Sequence, residues 1–144
     1  MTPGRLYTID ASVFGNSVFP DEPGHETSKA LLAQIQAQET PIVAPTLVLV
    51  EVAALIARRL GGGDHARRIY AALAALPNLT LIGLTRKLAQ SAADIAAQHR
   101  LRGADAVYIA VALRYGATLI TLDKEQRERT EGVVRAQYPV EISS

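Results

Sequence analysis

Apolar positions fall in short runs, separated by longer stretches in which they recur every three or four residues. Residues 6–9, 41–44, 79–82 and 117–122 predict strands. The last is a continuous apolar run, as an inner parallel strand requires. The spacing predicts helices over 25–38, 46–60, 64–76, 85–99 and 104–115, a short polar helix over 124–131, and an edge strand over 139–142. Segment 46–60 is apolar on nearly all sides as far as Arg58-Arg59, which predicts a deeply buried helix. Turn chemistry divides the pattern. Gly15-Asn16 and residues 20–24 read as turns, three glycines at 61–63 stop a helix, Asp64 and Thr85 stand where caps belong, and Gly116 follows a helix end. Strands alternating with helices predict an α/β fold, a central mostly parallel sheet flanked by helices, as one domain over 1–144.

Against that frame four carboxylates are out of place. Asp10 and Asp123 each directly follow a strand, so in a parallel sheet they emerge at the same edge. Glu51 interrupts the apolar run 47–56, and Asp105 opens the apolar helix 104–115. Right-handed crossovers bring helix beginnings to that same edge. Taken singly, each acid has an ordinary explanation as a turn residue or a first-turn acid favoured by the helix dipole. Asp94 also interrupts an apolar stretch, yet its helical position allows an exposed face. Together the four carry a cost, because an unpaired carboxylate in apolar surroundings must be balanced or protonated.

Arg58, Arg59, Arg100 and Arg102 lie near enough in sequence for ion pairs, but divalent metal suits four carboxylates better. Mg²⁺ and Mn²⁺ prefer oxygen donors, and two such ions match four negative charges. The chain has no Cys, and no His-x-x-x-His spacing, which argues against zinc. His25, His65 and His99 sit in polar loops or at helix ends and are expected at the surface. Composition narrows the rest. At 49% hydrophobic and 20% charged the 144 residues are not a disordered chain, and with 5% aromatics and no Trp they lack the stacking platforms of single-strand binders. No run reaches the roughly 18 residues of a membrane span, and the first seven residues lack the apolar core of a signal peptide. A cytoplasmic protein without a membrane partner is the expectation. A net charge of +1 neither demands nor forbids nucleic acid.

The residues around the four acids carry a resemblance. Ile9-Asp10-Ala11-Ser12-Val13, Ala44-Pro45-Thr46-Leu47 with Val50-Glu51-Val52, the Asp105-Ala106-Val107-Tyr108 core, and Gly116 through Asp123 resemble, in order and in register, the four acidic motifs of PIN-domain ribonucleases, specifically VapC-type toxins of toxin–antitoxin pairs. The resemblance covers almost the whole chain. It implies metal-dependent hydrolysis of RNA, with Asp10, Glu51, Asp105 and Asp123 holding Mg²⁺ or Mn²⁺. It also implies that Thr121 and Ser12 orient carboxylates or waters, and that a small antitoxin protein is the partner. Two positions depart from the family pattern: Asn16, where many relatives have Lys, and Gln126, where many have a bulky apolar residue. The first bears on substrate binding, the second on the packing of the last short helix.

Phosphodiester hydrolysis needs an activated water and neutralisation of developing charge, which two bound metals supply without a general-base histidine. Arg58, Arg59, Arg67, Arg68, Arg86, Lys87, Arg100 and Arg102 are candidate phosphate contacts, against the ordinary role of solubilising helix faces. The apolar stripe 71–76 suits a homodimer contact or plain core. Competing readings are a stand-alone PIN nuclease of RNA processing, a non-catalytic domain of the same fold, and an aspartyl phosphotransferase. The last wants a second Asp where Ser12 stands.

Overall fold

The computed structural model describes residues 5–142, so part of the leading segment weighed above as a signal peptide, residues 1–4, lies outside that range. In chain order the elements are β1 (Tyr7–Ile9), α1 (Ala11–Val18), α2 (His25–Ala37), β2 (Ile42–Pro45), α3 (Leu47–Leu60), α4 (Asp64–Ala74), β3 (Leu79–Ile82), α5 (Arg86–His99), α6 (Gly103–Tyr115), β4 (Thr118–Ile120), α7 (Lys124–Arg129) and β5 (Ala136–Gln137), with a final 3-10 turn at Pro139–Glu141. The strands form one sheet in the order β3-β2-β1-β4-β5. Every pairing is parallel. The fold is therefore the α/β class expected, with a sheet that is parallel throughout.

The three inner strands, β2, β1 and β4, form the dry centre of the sheet. Thr8, Ile9, Leu119 and Ile120 are fully buried, and Ile9 lies opposite Ile120 in the β1–β4 register. Across them packs α6, in which every residue from Ala106 to Ala112 is buried. Its alanines let the helix backbone approach the sheet, and its Val, Ile and Tyr side chains fill the space between, at about 1.5–3 kcal/mol for each large apolar side chain removed from water. Gly116 closes this helix at φ +67°, a left-handed conformation that a side chain would strain, and turns the chain directly into β4.

Four local expectations are corrected. Residues 11–18 are a helix, not a turn: Gly15 faces α3, where an added Cβ would stand 3.2 Å from Leu55 Cδ1, and Asn16 is buried. α3 is amphipathic rather than deeply buried. It hides Val48, Leu49, Val52 and Ile56 but leaves Val50 63% exposed, because α6 occupies the interior place beside the sheet. Asp64 does not cap α4. The capping position is Gly63, and the Asp64 carboxylate lies 2.6 Å from Arg67 within the first turn. The edge strand is β5 rather than 139–142, since Pro139 has no N–H for the ladder and opens a 3-10 turn. Of the 71–76 stripe, Leu73 belongs to the core, while Ala71, Ala72, Ala74 and Ala75 are exposed. Among the described residues no helix is long and apolar enough to cross a membrane.

Candidate active site

At the carboxyl edge of the sheet, β1 runs straight into α1 through Asp10. Its backbone N–H donates to the Ile120 carbonyl at 2.9 Å, tying the end of β1 to the end of β4. Its carboxylate caps α1 by accepting from the Ser12 N–H at 3.2 Å. On the neighbouring strand end, Asp123 caps α7 in the same way, its Oδ1 accepting from the Gln126 N–H at 3.0 Å. Two hydroxyls stitch these ends together. The Ser12 Oγ accepts from the Leu122 N–H at 3.2 Å, and the Thr121 Oγ1 accepts from the Asp123 N–H at 3.0 Å. Thr121 has a single proton. It serves the nearer acceptor, Gln126 Oε1 at 2.6 Å, and leaves Asp10 Oδ2 3.4 Å away.

The other two acids come from helix beginnings. Glu51 lies in the second turn of α3, where the buried Tyr108 of α6 donates its hydroxyl to Glu51 Oε1 at 2.6 Å. Asp105 lies in the first turn of α6. The Arg102 guanidinium reaches both Asp105, at 3.7 Å, and Asp123, at 3.5 Å, although its side chain is 76% exposed.

The four acids share one electrostatic environment. Burial pushes the Asp10 carboxyl above its ordinary value, the hydrogen bonds from Ser12 oppose this, and the charge of Asp123 adds to it. Burial likewise raises Glu51, with Tyr108 opposing and Asp10 adding. Asp105 is pushed up to about 6, first by burial and then by Asp10 and Asp123, against the pull of Arg102. Tyr108 is raised by burial and by its bond to Glu51, so it remains a donor. As they stand, no three acidic or histidine side chains among the described residues gather closely enough to enclose an ion. The donor chemistry nevertheless fits a hard divalent cation: carboxylate and hydroxyl oxygens, partly desolvated, mutually repelling, with one solvent-exposed arginine as the balancing charge.

Some features of the site are absent from the sequence-level set. Tyr108 was legible in principle, since a tyrosine inside an apolar helix needs a partner for its hydroxyl. Gln126 is fully buried beneath Thr121 with its Nε2 unpartnered, and so takes the space of the bulky apolar residue expected there. Asn16 is a structural residue here. Its Nδ2 donates to Glu22 Oε1 at 3.1 Å and to the Pro23 carbonyl at 3.0 Å. The surface assignment of His25 is corrected: it is buried, with Nδ1 2.8 Å from the Asn16 carbonyl. His65 is exposed, and His99 is half-buried. Among the arginines, Arg59 is held by Asp21 and Glu22 and lies over the Phe19 ring at 4.2 Å, and Arg67 is held by Asp64.

The PIN domain family model matches residues 7–132, which contain all four acids. The chain belongs to the PIN-domain family. Solved structures with the same fold include VapC20 of Mycobacterium tuberculosis, described as a toxin cleaving the sarcin-ricin loop. It is 22% identical with a TM-score of 0.71, over 90% of this chain and 98% of that one. FitAcB from Neisseria gonorrhoeae is 19% identical with a TM-score of 0.70, over 94% and 99% of the two chains. A toxin–antitoxin complex from Klebsiella pneumoniae is 18% identical with a TM-score of 0.67, over 96% and 99%. No curated protein sequence matches the chain.

Two expectations follow for this PIN domain. Replacing Gln126 with Leu removes an unpartnered Nε2 together with one acceptor of Thr121, whose hydroxyl retains Asp10 as a second acceptor. The net change in stability is expected within about 1 kcal/mol, measured by denaturant unfolding. The second concerns pH. Asp105 loses its proton near the ordinary value of 3.8 in the unfolded chain and near 6 in the folded one. Between these the folded state holds more protons, so stability falls as pH rises through the window and stays lower above it. Asp10 and Glu51 act in the same direction. Asp21 and Glu141, lowered by Arg59 and Arg127, act oppositely but only where they themselves titrate, below roughly pH 4.5. In chelator the melting temperature should therefore drop between about pH 5 and pH 7, and added Mg²⁺ should restore much of the loss.

Proposed function

We propose that this PIN domain is a metal-dependent endoribonuclease and the toxin of a toxin–antitoxin pair, acting in the cytoplasm as one domain over residues 1–144. The observation that carries the reading is the set Asp10, Glu51, Asp105 and Asp123. Asp10 and Asp123 stand at adjacent strand ends, and the charges of all four act on one another across the same sheet edge. The likeness in fold to a toxin described as cleaving the sarcin-ricin loop, and to toxin–antitoxin complexes, supports the assignment.

Asp10, Glu51, Asp105 and Asp123 would hold Mg²⁺ or Mn²⁺, which when bound supplies an activated water and neutralises charge on the scissile phosphate and the leaving oxygen. The chain does the rest by positioning. Asp10 and Asp123 each cap a helix with one oxygen, so the two carboxylates have little freedom left to lose. Thr121 and Ser12 lock the β4–α7 turn against the start of α1 and thereby set the separation of the two acids. Tyr108 occupies one oxygen of Glu51 and leaves the other free. Arg102 stabilises the acids in the absence of metal. Being exposed, it can swing to a substrate phosphate once the acids are neutralised. Arg86, Lys87 and Arg100 offer further phosphate contacts. A small antitoxin protein and a second copy of the chain are the expected protein partners.

The test is incubation of structured and single-stranded RNA with the purified protein in Mg²⁺, in Mn²⁺ and in chelator. Internal cleavage with either ion and none in chelator is the expected result. Cleavage that persists in excess chelator, or none with either ion, overturns the assignment.

A further inference from the structure

We propose that the cavity between α1 and α3 receives one unstacked RNA base beside the scissile phosphate, and that Arg58 reads its edge. The inference rests on the ribonuclease assignment and adds where base selectivity arises. The cavity measures about 440 Å³, within the range of small-ligand sites. Ser12 and Leu122 form the end of it nearest the acids, each adjacent to the Asp10 or Asp123 turn. Gly15, Phe19 and Leu55 supply apolar walls. Gly15 lets α1 approach Leu55 closely, since the Cβ of any other residue would come 3.2 Å from Leu55 Cδ1, and so fixes where Leu55 stands in the wall.

The placement relative to the acids follows from helix geometry. Glu51, Leu55 and Arg58 stand at positions i, i+4 and i+7 of α3 and share one face. At 1.5 Å of rise per residue, Leu55 lies about 6 Å and Arg58 about 10 Å along the helix from Glu51. A nucleotide whose phosphate meets the acids therefore lays its base against Leu55 and turns its edge toward Arg58.

The polar groups around the cavity are nearly all committed. Both oxygens of Glu22 are taken, by Asn16 and by Arg59, and Arg59 also holds Asp21. The Asn16 Nδ2 protons serve Glu22 and Pro23, while its buried Oδ1 is left as an unpartnered acceptor. Among the described residues Arg58 has no hydrogen-bond or ion-pair partner, and its side chain is exposed at the rim. A guanidinium is a donor-only fork, so it selects a base edge with two adjacent acceptors, and guanine presents one at O6 and N7. Apolar walls and a free fork next to carboxylates suited to phosphate chemistry suit a base better than a purely apolar peptide side chain.

The experiment compares binding of the four 5′-ribonucleoside monophosphates and of ribose 5-phosphate to the whole protein in Mg²⁺, by calorimetry and amide chemical shifts. Guanosine monophosphate should bind about fivefold to a hundredfold more tightly than ribose 5-phosphate, the span expected of one bidentate base contact, with shifts at Gly15 and Leu55. Arg58→Gln should remove the guanosine preference while leaving ribose 5-phosphate unchanged. Leu55→Trp, which fills the cavity, should remove the gain from every base. Equal binding of all five ligands overturns the proposal. So does a uniform loss across them in Arg58→Gln, which marks a phosphate contact instead. RNA cleavage is assayed on the same samples. Base-selective binding without any cleavage would defeat the ribonuclease assignment alone, and cleavage without base-selective binding would defeat the base site alone.

Discussion

Asp10→Asn should lower RNA cleavage by several orders of magnitude and, in the absence of metal, raise the melting temperature. Both effects come from one atom. The replacement keeps the shape, and an asparagine oxygen can still accept from the Ser12 N–H and cap α1. What disappears is a buried negative charge that also raises Glu51 and Asp105. The folded apoprotein is relieved of that repulsion, while the unfolded chain, already solvated, gains nothing. Metal reverses the ranking. At a hundredfold excess over its dissociation constant, Mg²⁺ should stabilise the native protein by about 2.7 kcal/mol, and the variant by much less, because a donor has gone. The two perturbations are therefore non-additive, and a thermodynamic cycle over protein and ion measures their coupling. Melting curves of both proteins in chelator and in Mg²⁺ are decisive. If Mg²⁺ shifts the two equally, Asp10 is a turn residue and not a ligand.

Ile120→Ala should cost about 2–5 kcal/mol, a large share of the 5–15 kcal/mol by which a domain of this kind is stable. Ile120 is fully buried on β4, opposite Ile9 of the central strand, and its carbonyl accepts from the Asp10 N–H. The lost side chain leaves a void in the core that its closely packed neighbours cannot fill. A fall of roughly 6–20 °C in melting temperature is expected. Val50→Ala is the matched control. Val50 is equally aliphatic but 63% exposed, and its removal should change stability by about 0.5 kcal/mol or less. Comparable losses at the two positions would mean that Val50 is packed in the interior and that this face of α3 is not exposed.

That pair also marks where sequence reading succeeds and fails. Segments whose pattern is set locally were legible. Residues 79–82 form β3 over the span read from their apolar run, and Thr85 caps α5 through the Leu88 N–H. Gly116 ends α6 as its position suggests. Segments whose character is set by a distant neighbour were not legible. Gly15-Asn16 has the composition of a turn, and becomes helical because Leu55 needs the missing Cβ and because Glu22 and Pro23 bond the Asn16 amide. His25 looks like a surface residue until α1 supplies the Asn16 carbonyl as its partner. α3 and α6 are similarly apolar in sequence, and only the sheet decides which lies inside. The four acids were visible because each breaks a rule of its own segment. Arg102 was legible as an ion-pair partner of Asp105, but its reach to Asp123 and the bond of Tyr108 to Glu51 depend on elements remote in sequence.

The strand order has a consequence for how the protein is made. Among the described strands β1 comes first in the chain, yet one of its two partners, β4, is the fourth, more than a hundred residues later. Pairings between residues so remote in sequence close slowly, because the entropy of a long loop is lost before any contact rewards it. A nascent chain released as far as the end of α5 contains Asp10 and Glu51 but neither Asp105 nor Asp123. It also lacks the strand that buries one side of β1. The acidic edge can therefore form only once α6 and β4 are available to join β1, and a chain that stops before α6 lacks half of the set proposed to act on RNA.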